Sequence, residues 1–583
     1  MNKNETNTKK ELSLLKQDML AEIRQRLEDR VLERSNAELL EKLIMQADSD
    51  DEAIKIMSLG TTYKKSGMHY EKRLEKMDNT IRYFKKNESL SFHTDDSKPV
   101  NKLIIGDNYE ALQNLLIQYK KGIGVIYIDP PYGKDSMGEF AKTNYENGIT
   151  RDNLLSMLYP RLMLAKQLLT DEGVIFCSID DKNYAYLKCL FDEVFGESSY
   201  VSTLTIETSV IAGRRRVPAM QGSIVKTAEY CLIYSKSKDS QIMKNLKYDF
   251  IYGFDTHYNK WVDEENGKII SLNDLIKNNK AISDIFKSYK LPISIQNLGT
   301  LTFINEEIRR WLYSNEIASC LYRKGDSETP NSETDKQPLN HLFNIDSKWY
   351  LKTEEGLYNV FRYIDRIGKC DDYFNSYGER TVRGNLWKGF SSDGGNLEKE
   401  GGVSFKNGKK PLRLIKQLID SVSVSNDSVI LDFFAGSGTT GHAVLDLNKD
   451  GGNRTFILCQ INEKTPESPN GIAYDVTSKR LKRVMTGQCY DGSRNRSWLS
   501  GDEPYGGNLD VYEMERVPNH LTAGGQTPFE AIDETLYGKE KFKTLKEKID
   551  WVCQNFANTQ RYAESDEDWE EVVRKGGRNV TGS

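Results

Sequence analysis

The sequence predicts an α/β fold in which a mainly parallel sheet carries helices on both faces. Short apolar strands alternate with amphipathic helices over residues 101–235, and the same alternation returns over residues 405–485. Between these stretches, residues 236–400 lose the alternation and are rich in Asn, Ser, Lys, Asp and Tyr. We therefore expect one α/β domain that is built from two separate halves and interrupted by an inserted domain.

Length and composition exclude several classes of protein. A chain of 583 residues is too long for one compact domain, and its 38% hydrophobic content excludes wholesale disorder. The 81 basic and 86 acidic residues give a net charge of -5, so a polyanionic partner requires a local basic patch. The eight Cys and six His are scattered, which predicts reduced thiols and no metal centre. With neither a long apolar run nor a signal-peptide pattern, we expect a cytoplasmic protein.

The patterns divide the chain into five expected regions. These are a helical N-terminal region (1–97), the first half of the α/β domain (98–235), the inserted domain (236–400), the second half (401–488) and a C-terminal segment (489–583). Apolar residues at steps of three and four predict helices within 9–46 and 69–88. The apolar stripe of the first helices fits either packing on the main body or self-association.

The first half of the α/β domain opens with a strand that ends in Gly106-Asp107. The predicted elements that follow are a helix (109–119), a strand (124–128), a long helix (154–169), a turn (171–173) and two strands (174–179 and 229–234). The second half continues with a helix (411–420), a strand (429–434), a glycine loop, a helix (440–447), a strand (455–461) and a helix near 476–484.

Asp129-Pro130-Pro131-Tyr132 directly follows a predicted strand, at the sheet edge where open α/β sheets bind ligands. The two prolines remove two N–H donors and keep the backbone extended. The carboxylate of Asp129 and the carbonyl of Pro130 are then two acceptors that suit an amino group with two protons. Tyr132 offers a flat face on which a base could stack. An ordinary strand-ending turn is the alternative for this tetrapeptide taken alone.

A second motif, Gly436-Ser437-Gly438, joins the strand 429–434 to the next helix and permits close approach of the backbone to a nucleotide-like ligand. With Gly441 the loop also matches a dinucleotide fingerprint, but the next strand ends at Gln460, where that fingerprint has an acid. A P-loop is excluded because no Gly-Lys-Ser/Thr follows. A purely structural glycine turn remains the alternative.

Together, the two motifs resemble those of the amino-group DNA methyltransferases that use S-adenosylmethionine, in the permuted β-class order with the catalytic motif first. The run LDFFAGSGTTGHAVLDLNKDGGNRTFIL is especially similar to the modification (Mod) subunits of type III restriction-modification systems. The resemblance covers residues 101–235 and 405–485. It implies a Rossmann-like methyltransferase sheet, and it implies that the insertion is the target-recognition domain.

The resemblance also implies roles for individual residues. Asp129 and Pro130 would hold the amino group of a flipped adenine, with Pro131 and Tyr132 completing the catalytic motif. The residues implied at the cofactor are Asp107, Lys410, Asp432, Phe434, Gly436, Gly438, Thr439 and Gln460. The family commonly has an acid that binds the ribose at the position of Gln460, so the ribose contact is open between Gln460 and Glu463.

A basic loop between two predicted strands is the candidate DNA contact. It contains Arg214, Arg215 and Arg216 and is followed by Lys226, so these side chains could neutralise phosphates. A solvated charged loop is the alternative.

The sequence thus predicts a DNA adenine-N6 methyltransferase and modification subunit. Its expected partners are double-stranded DNA, a second copy of the chain and a helicase-nuclease (Res) subunit. An orphan methyltransferase, an N4-cytosine enzyme, which usually has Ser in place of Asp129, and a mainly DNA-recognising subunit stay open. A nucleotide-binding oxidoreductase survives only if Asp-Pro-Pro-Tyr is accidental.

Overall fold

The computed structural model describes residues 13–28, 34–59, 80–132, 151–213, 216–237, 242–395, 397–405, 408–422, 425–494, 503–518 and 526–556. Up to residue 235, the helices are α1 (Leu14–Glu28), α2 (Arg34–Gln46), α3 (Asp50–Leu59), α4 (Asn108–Tyr119), α5 (Arg151–Leu168), α6 (Tyr184–Phe195) and α7 (Arg216–Met220). The strands of the same part are β1 (Thr80–Lys86), β2 (Phe92–His93), β3 (Val100–Ile105), β4 (Ile123–Ile128), β5 (Leu169–Ile179), β6 (Tyr200–Glu207) and β7 (Ala228–Ser235).

The remaining elements belong to the insertion and to the rest of the chain. The strands are β8 (Tyr248–Phe250), β9 (Lys260–Asp263), β10 (Lys268–Ser271), β11 (Leu321–Glu328), β12 (Leu342–Ile345), β13 (Lys348–Thr353), β14 (Gly356–Arg362), β15 (Ile367–Lys369), β16 (Tyr377–Val382), β17 (Leu386–Trp387), β18 (Val429–Asp432), β19 (Thr455–Gln460) and β20 (Asn508–Pro518). The helices are α8 (Leu272–Asn278), α9 (Lys280–Ser288), α10 (Ile295–Ile304), α11 (Glu306–Leu312), α12 (Asn315–Ala318), α13 (Leu412–Ser421), α14 (Thr439–Leu447), α15 (Lys479–Thr486), α16 (Pro528–Ala531) and α17 (Leu545–Phe556).

An eleven-stranded sheet in the order β1-β20-β3-β19-β18-β4-β5-β7-β6-β17 forms the main body, and β2 also pairs with β20. The strands from β20 to β5 run parallel, whereas β7 is antiparallel to both β5 and β6. The parallel pairing of β18 with β4 joins the two halves of the α/β domain, as the sequence predicts.

Each strand at the centre of the sheet supplies side chains to two apolar cores, because successive residues of a strand point to opposite faces. Ile126 and Ile128 of β4 pack with α4, α5 and α6, whereas Val125 and Tyr127 pack with α13, α14 and α15. All six residues of β4 are buried. This two-sided burial accounts for the continuous apolar run that marks the strand in the sequence.

The insertion has its own sheets and its own core. One sheet has six strands in the order β10-β9-β11-β14-β13-β12, and a second has three in the order β15-β16-β8. A cluster around Phe286, Leu298 and Tyr363 packs helices α8–α12 together, apart from the cores of the main sheet. Within residues 236–400, β17 belongs to neither of these sheets but lies in the main sheet, where it pairs with β6.

Two predictions of secondary structure are wrong. The helix predicted for 69–88 is wrong over 80–86, where β1 pairs antiparallel with β20, and its first part, 69–79, lies outside the described residues. The main sheet therefore draws strands from both the N-terminal region and the C-terminal segment. The turn predicted at 171–173 lies within β5, which begins at Leu169.

Helices α1–α3 bury a small apolar cluster around Ile23, Ile44 and Ala53 that is separate from the cores of the main sheet. Their stripe thus packs mainly within the helical group. None of the helices in the described ranges combines the length and apolarity that a bilayer crossing requires.

Candidate active site

A cavity of about 380 Å³ lies at the carboxyl ends of β3, β4, β18 and β19. From β4 the chain passes through α5 to β5, which lies next to β4 on the side away from β18. From β18 it passes through α14 to β19, which lies next to β18 on the side away from β4. The two connections thus diverge from the neighbouring strands β4 and β18, and such a switch point opens a crevice for ligands. Its walls include both predicted motifs, Asp129 to Tyr132 and Phe434 to Gly436.

The Asp-Pro-Pro-Tyr motif is held by hydrogen bonds on both sides. The hydroxyl of Tyr132 donates to Oδ1 of Asp129 at 2.8 Å. Nδ2 of Asn183 donates to the backbone carbonyl of Tyr132 at 2.7 Å and to the buried carboxylate of Asp180 at 3.0 Å. Asp180 and Asn183, for which the sequence suggests no role at the site, therefore fix the backbone of the motif.

Lys410 lies on the catalytic side of the cavity. Its Nζ donates to the Tyr132 hydroxyl and to Oε2 of Glu229, each at 2.7 Å, and lies 3.3 Å from Oδ1 of Asp129. Glu229 is the second residue of β7, which begins at the same sheet edge because β7 is antiparallel to β5. The sequence assigns Lys410 to the cofactor and gives Glu229 no role.

The charges of this cluster shift one another's ionisation. Burial raises the pKa of the Asp129 carboxyl above its ordinary value; Lys410 opposes this shift and Glu229 adds to it. Burial would lower the pKa of Lys410, but Asp129 and Glu229 outweigh it and raise that pKa. Burial would likewise raise the pKa of Glu229, yet Lys410 more than offsets it and the pKa is lowered. Lys410 is therefore a firmly charged ammonium between two carboxyls.

The glycine loop connects β18 to α14 with two residues in the left-handed region. Gly436 has a φ of 52° and Gly438 a φ of 78°, which residues with a side chain rarely adopt. The N–H of Gly436 donates to Oε1 of Gln460 at 2.7 Å, which ties the loop to the end of β19.

Asp432, the last residue of β18, holds the start of the loop. Its carboxyl accepts from the N–H of Phe434 at 3.0 Å and from the hydroxyl of Thr440 at 2.5 Å. Burial raises the pKa of this carboxyl to about 7, although both hydrogen bonds oppose the shift. Asp432 thus lines the cavity and holds both ends of the glycine loop through these two hydrogen bonds.

Arg480 of α15 supports the same loop from a fully buried position. Its guanidinium donates to the hydroxyl of Thr439 at 2.8 Å and to that of Ser437 at 3.1 Å, and pairs with Glu400 at 3.0 Å. The sequence predicts a helix here but gives no sign that its arginine is buried.

Asp107 follows β3 and caps α4 by accepting from the N–H of Tyr109 at 2.8 Å. The guanidinium of Arg161, on α5, donates to Asp107 Oδ1 at 3.1 Å. About 40% of the Asp107 side chain stays exposed, and the residue lines the cavity. Arg161 is a further wall residue, for which the sequence gives no indication.

The basic loop between β6 and β7 lies at the same edge of the sheet as Asp129, since β7 begins there. Arg216 begins the short helix α7 and is exposed. Nζ of Lys226 lies 3.3 Å from Oδ1 of Asp181. Arg214 and Arg215 lie outside the described residues.

Comparison with known proteins places these residues in a family context. The model of the DNA methylase family (N6_N4_Mtase) matches residues 123–468, which is more than half of the chain and includes both motifs. A family model of an uncharacterised conserved protein matches residues 16–123.

Three curated relatives illustrate the similarity. The type III restriction-modification enzyme StyLTI Mod subunit of Salmonella typhimurium is 30% identical, over 66% of this chain and 57% of its own length. The EcoPI Mod subunit of Escherichia phage P1 is 28% identical, over 66% and 62%. The type II methyltransferase M.KpnI of Klebsiella pneumoniae is 28% identical, over 66% and 87%. The chain therefore spans less than two thirds of the length of these type III subunits.

Proposed function

The chain belongs to the DNA methylase family, and from that premise we propose that it is a DNA adenine-N6 methyltransferase that uses S-adenosylmethionine. The observation that carries the proposal is the meeting of Asp129 and the Gly436 loop in one cavity, although 307 positions separate them in the sequence. One motif suits an amino group and the other suits a nucleotide-like ligand. A transfer between the two requires that they face each other.

Asp129 and the Pro130 carbonyl act on the acceptor amine. N6 of adenine is a poor nucleophile because its lone pair is delocalised into the ring. Accepting both amino protons favours a pyramidal nitrogen, whose lone pair is then available for attack. The adenine must leave the duplex to reach Asp129, because Asp129 lines a cavity and a base inside a duplex is stacked and paired. Aspartate at this position favours adenine over cytosine.

Several features of the cavity fit the methyl donor. S-adenosylmethionine supplies the methyl group when bound. The positive φ angles of Gly436 and Gly438 leave the loop backbone without side chains beside the ligand. The exposed part of the Asp107 carboxylate suits an adenine amino group, and Glu463 on the cavity wall supplies an acid for ribose hydroxyls.

We assign target recognition to the insertion and part of the DNA contact to the basic loop. The insertion has its own core and sheets, so its surface can vary without disturbing the catalytic sheet. Arg216 and Lys226 are on the loop at the same sheet edge as Asp129, and we place the phosphates that flank an extruded base there.

Two of the relatives are Mod subunits, and we propose the same role here, with double-stranded DNA, a second copy of the chain and a Res subunit as partners. A stand-alone methyltransferase is the second candidate. It is supported by the type II methyltransferase M.KpnI, which is as similar to this chain as the EcoPI Mod subunit, each being 28% identical over 66% of it. A neighbouring gene for a helicase-nuclease would support the first candidate, and light scattering on the full chain would test the dimer.

The test of the proposed function is methyl transfer with product identification. The full chain is incubated with tritiated S-adenosylmethionine and plasmid DNA from a methylation-deficient host, and the DNA is digested to nucleosides. We expect the label in N6-methyladenine. Label in N4-methylcytosine would contradict the adenine assignment, and no label in DNA would contradict the proposed function. Single-molecule sequencing of the product identifies the target sequence.

A further inference from the structure

We propose that Lys410 is a positioning residue, which holds the Asp129 carboxylate ionised and oriented toward the acceptor amine, and that Glu229 fixes Lys410 in place. This inference rests on the proposed function. It replaces the role that the sequence suggests for Lys410, a contact to the cofactor.

The hydrogen bonds of Lys410 support this role. An ammonium has three N–H donors. The structure gives Nζ three oxygen neighbours, at 2.7 Å in Glu229, 2.7 Å in Tyr132 and 3.3 Å in Asp129. All three belong to the catalytic side of the cavity. A cofactor carboxylate would have to displace one of them to reach the ammonium.

The position of Tyr132 strengthens the link. Its hydroxyl accepts from Lys410 and donates to Asp129 at 2.8 Å, so the lysine acts on the carboxylate both directly and through the phenol. The ring of Tyr132 lies with its centroid 5.1 Å from Nζ. Lys410 therefore orients two of the four residues of the catalytic motif.

The charged surroundings explain why a cation is needed there. The titratable groups around Asp129 are the phenols of Tyr127 and Tyr132, the thiols of Cys177 and Cys231, and the carboxyls of Glu229 and Asp432. Burial and Glu229 both disfavour ionisation of Asp129, whereas Lys410 favours it and Tyr132 adds a hydrogen bond. Without Lys410, the carboxyl would face Glu229 with no neutralising charge.

Glu229 completes the arrangement. It is 25% exposed, and it lies on β7, a strand of the rigid sheet, whereas Lys410 precedes α13. A lysine side chain has many rotamers, so a strong second partner restricts it to the one that reaches Asp129. Lys226, at the end of the basic loop, adds a more distant positive charge to Glu229.

The experiment compares Lys410→Met, Lys410→Arg and the wild type in single-turnover methyl transfer between pH 5.5 and 9. Lys416→Met is the matched control, because Lys416 lies on α13, just after Lys410, but pairs with Asp446. Loss of the cation raises the pKa of Asp129, so the acid limb of the profile should move to higher pH by at least about one unit. At a pH on that limb the rate should fall about tenfold and recover on alkalinisation.

Three further measurements distinguish the two roles of Lys410, which are positioning of Asp129 and contact to the cofactor. Lys410→Arg should restore most of the rate, and Lys416→Met should match the wild type. The Kd for S-adenosylmethionine, measured by calorimetry, should change by less than about twofold in Lys410→Met. An unmoved acid limb together with a raised Kd would overturn the inference and return Lys410 to the cofactor. If Lys410→Met does not fold, Lys410→Gln provides the same comparison.

A wild type that transfers no methyl group would contradict the proposed function, and the effect of Lys410 on the ionisation of Asp129 is then tested by itself. The carboxyl pKa of Asp129 is then measured directly by carbon-13 NMR of aspartate-labelled protein, with Asp129→Asn assigning the signal. Lys410→Met should raise that pKa by about one unit or more. An unchanged value would overturn the role of Lys410 whether or not the protein is an enzyme.

Discussion

Oε1 of Gln460 accepts a hydrogen bond of 2.7 Å from the backbone N–H of Gly436. The same amide donates through Nε2 to the carbonyl of Ile461 at 2.9 Å, and the residue is only 4% exposed. Both ends of the side chain are thus engaged within the protein. An amide in this position can fix the glycine loop by a neutral hydrogen bond, whereas a carboxylate there would place a buried charge beside the loop.

Gln460→Ala should weaken S-adenosylmethionine binding by loosening the glycine loop. Loss of one buried hydrogen bond to the loop is worth about 1 kcal/mol, which corresponds to a roughly fivefold rise in Kd. Glu463→Gln is the companion variant, because it removes an acid on the cavity wall without changing the loop. Calorimetry on both variants separates the two positions. A larger effect of Glu463→Gln would assign the ribose to Glu463.

Asp129→Ala should abolish methyl transfer, with a fall of at least about a hundredfold, because the amine loses an acceptor that the reaction requires. S-adenosylmethionine binding should stay close to that of the wild type, since Asp129 acts on the acceptor amine. Asp171→Ala, at an exposed position of β5, is the control. Turnover of Asp129→Ala near the wild-type rate would rule out the catalytic assignment.

Gly436→Val should remove measurable binding of S-adenosylmethionine. Valine is β-branched and strongly disfavours the φ of 52° that Gly436 adopts, and its side chain would project beside the ligand. Gly451→Val is a matched control, because Gly451 has a φ of 90°, open space around its Cα and no place in the cavity wall. If both variants bind equally well, the loop is not the cofactor site.

The meeting of Asp129 and Gly436 could be predicted because both motifs follow strands. Parallel strands of one sheet end at a common edge. The alternation of strands and helices in the sequence is therefore sufficient to predict that the two motifs lie at the same edge. The position of Lys410 could not be predicted in the same way. It depends on how the chain before α13 crosses the sheet edge to reach Glu229, and sequence spacing contains no information on that crossing.

The outer strands of the main sheet show a second limit of prediction from the sequence. The segment TIRYFKK of β1 mixes apolar and basic residues in a way that fits a helix as well as a strand, and pairing with β20 near the other end of the chain decides the outcome. The burial of Arg480 could not be predicted either, because an arginine on an amphipathic helix normally faces solvent. Its burial follows from Glu400 and from the hydroxyl of Thr439, neither of which is close to it in sequence.

The stability of the protein should depend on the ionisation of Asp432. Burial raises the pKa of this carboxyl from 3.8 to about 7, so the folded state disfavours the charged form. The resulting stability is fully present below pH 3.8 and is lost as the pH rises toward 7. Between pH 5 and pH 8 the loss should amount to about 3 kcal/mol.

Asp432→Asn removes this titration, so its free energy of unfolding relative to the wild type should increase over that pH interval. Denaturant unfolding at pH 5, 6, 7 and 8 measures the difference. Asp427→Asn, at an exposed position before β18, is the control for the same substitution outside the cavity. A constant difference for Asp432→Asn would contradict the shifted pKa.

Exchange of the insertion should transfer sequence specificity, and the structure sets the boundaries of the exchange. β17 pairs with β6 of the main sheet, and the side chain of Trp387 is buried in the core beneath it. Replacing only residues 248–382 therefore leaves the main sheet intact, whereas replacing 236–400 also replaces β17.

We expect the shorter chimera, with the matching segment of a relative of different specificity, to methylate the relative's sequence and still require Asp129. Methylated sites are mapped by single-molecule sequencing. A folded chimera that methylates the original sequence would place specificity elsewhere, with Arg216 and its loop as the next candidate.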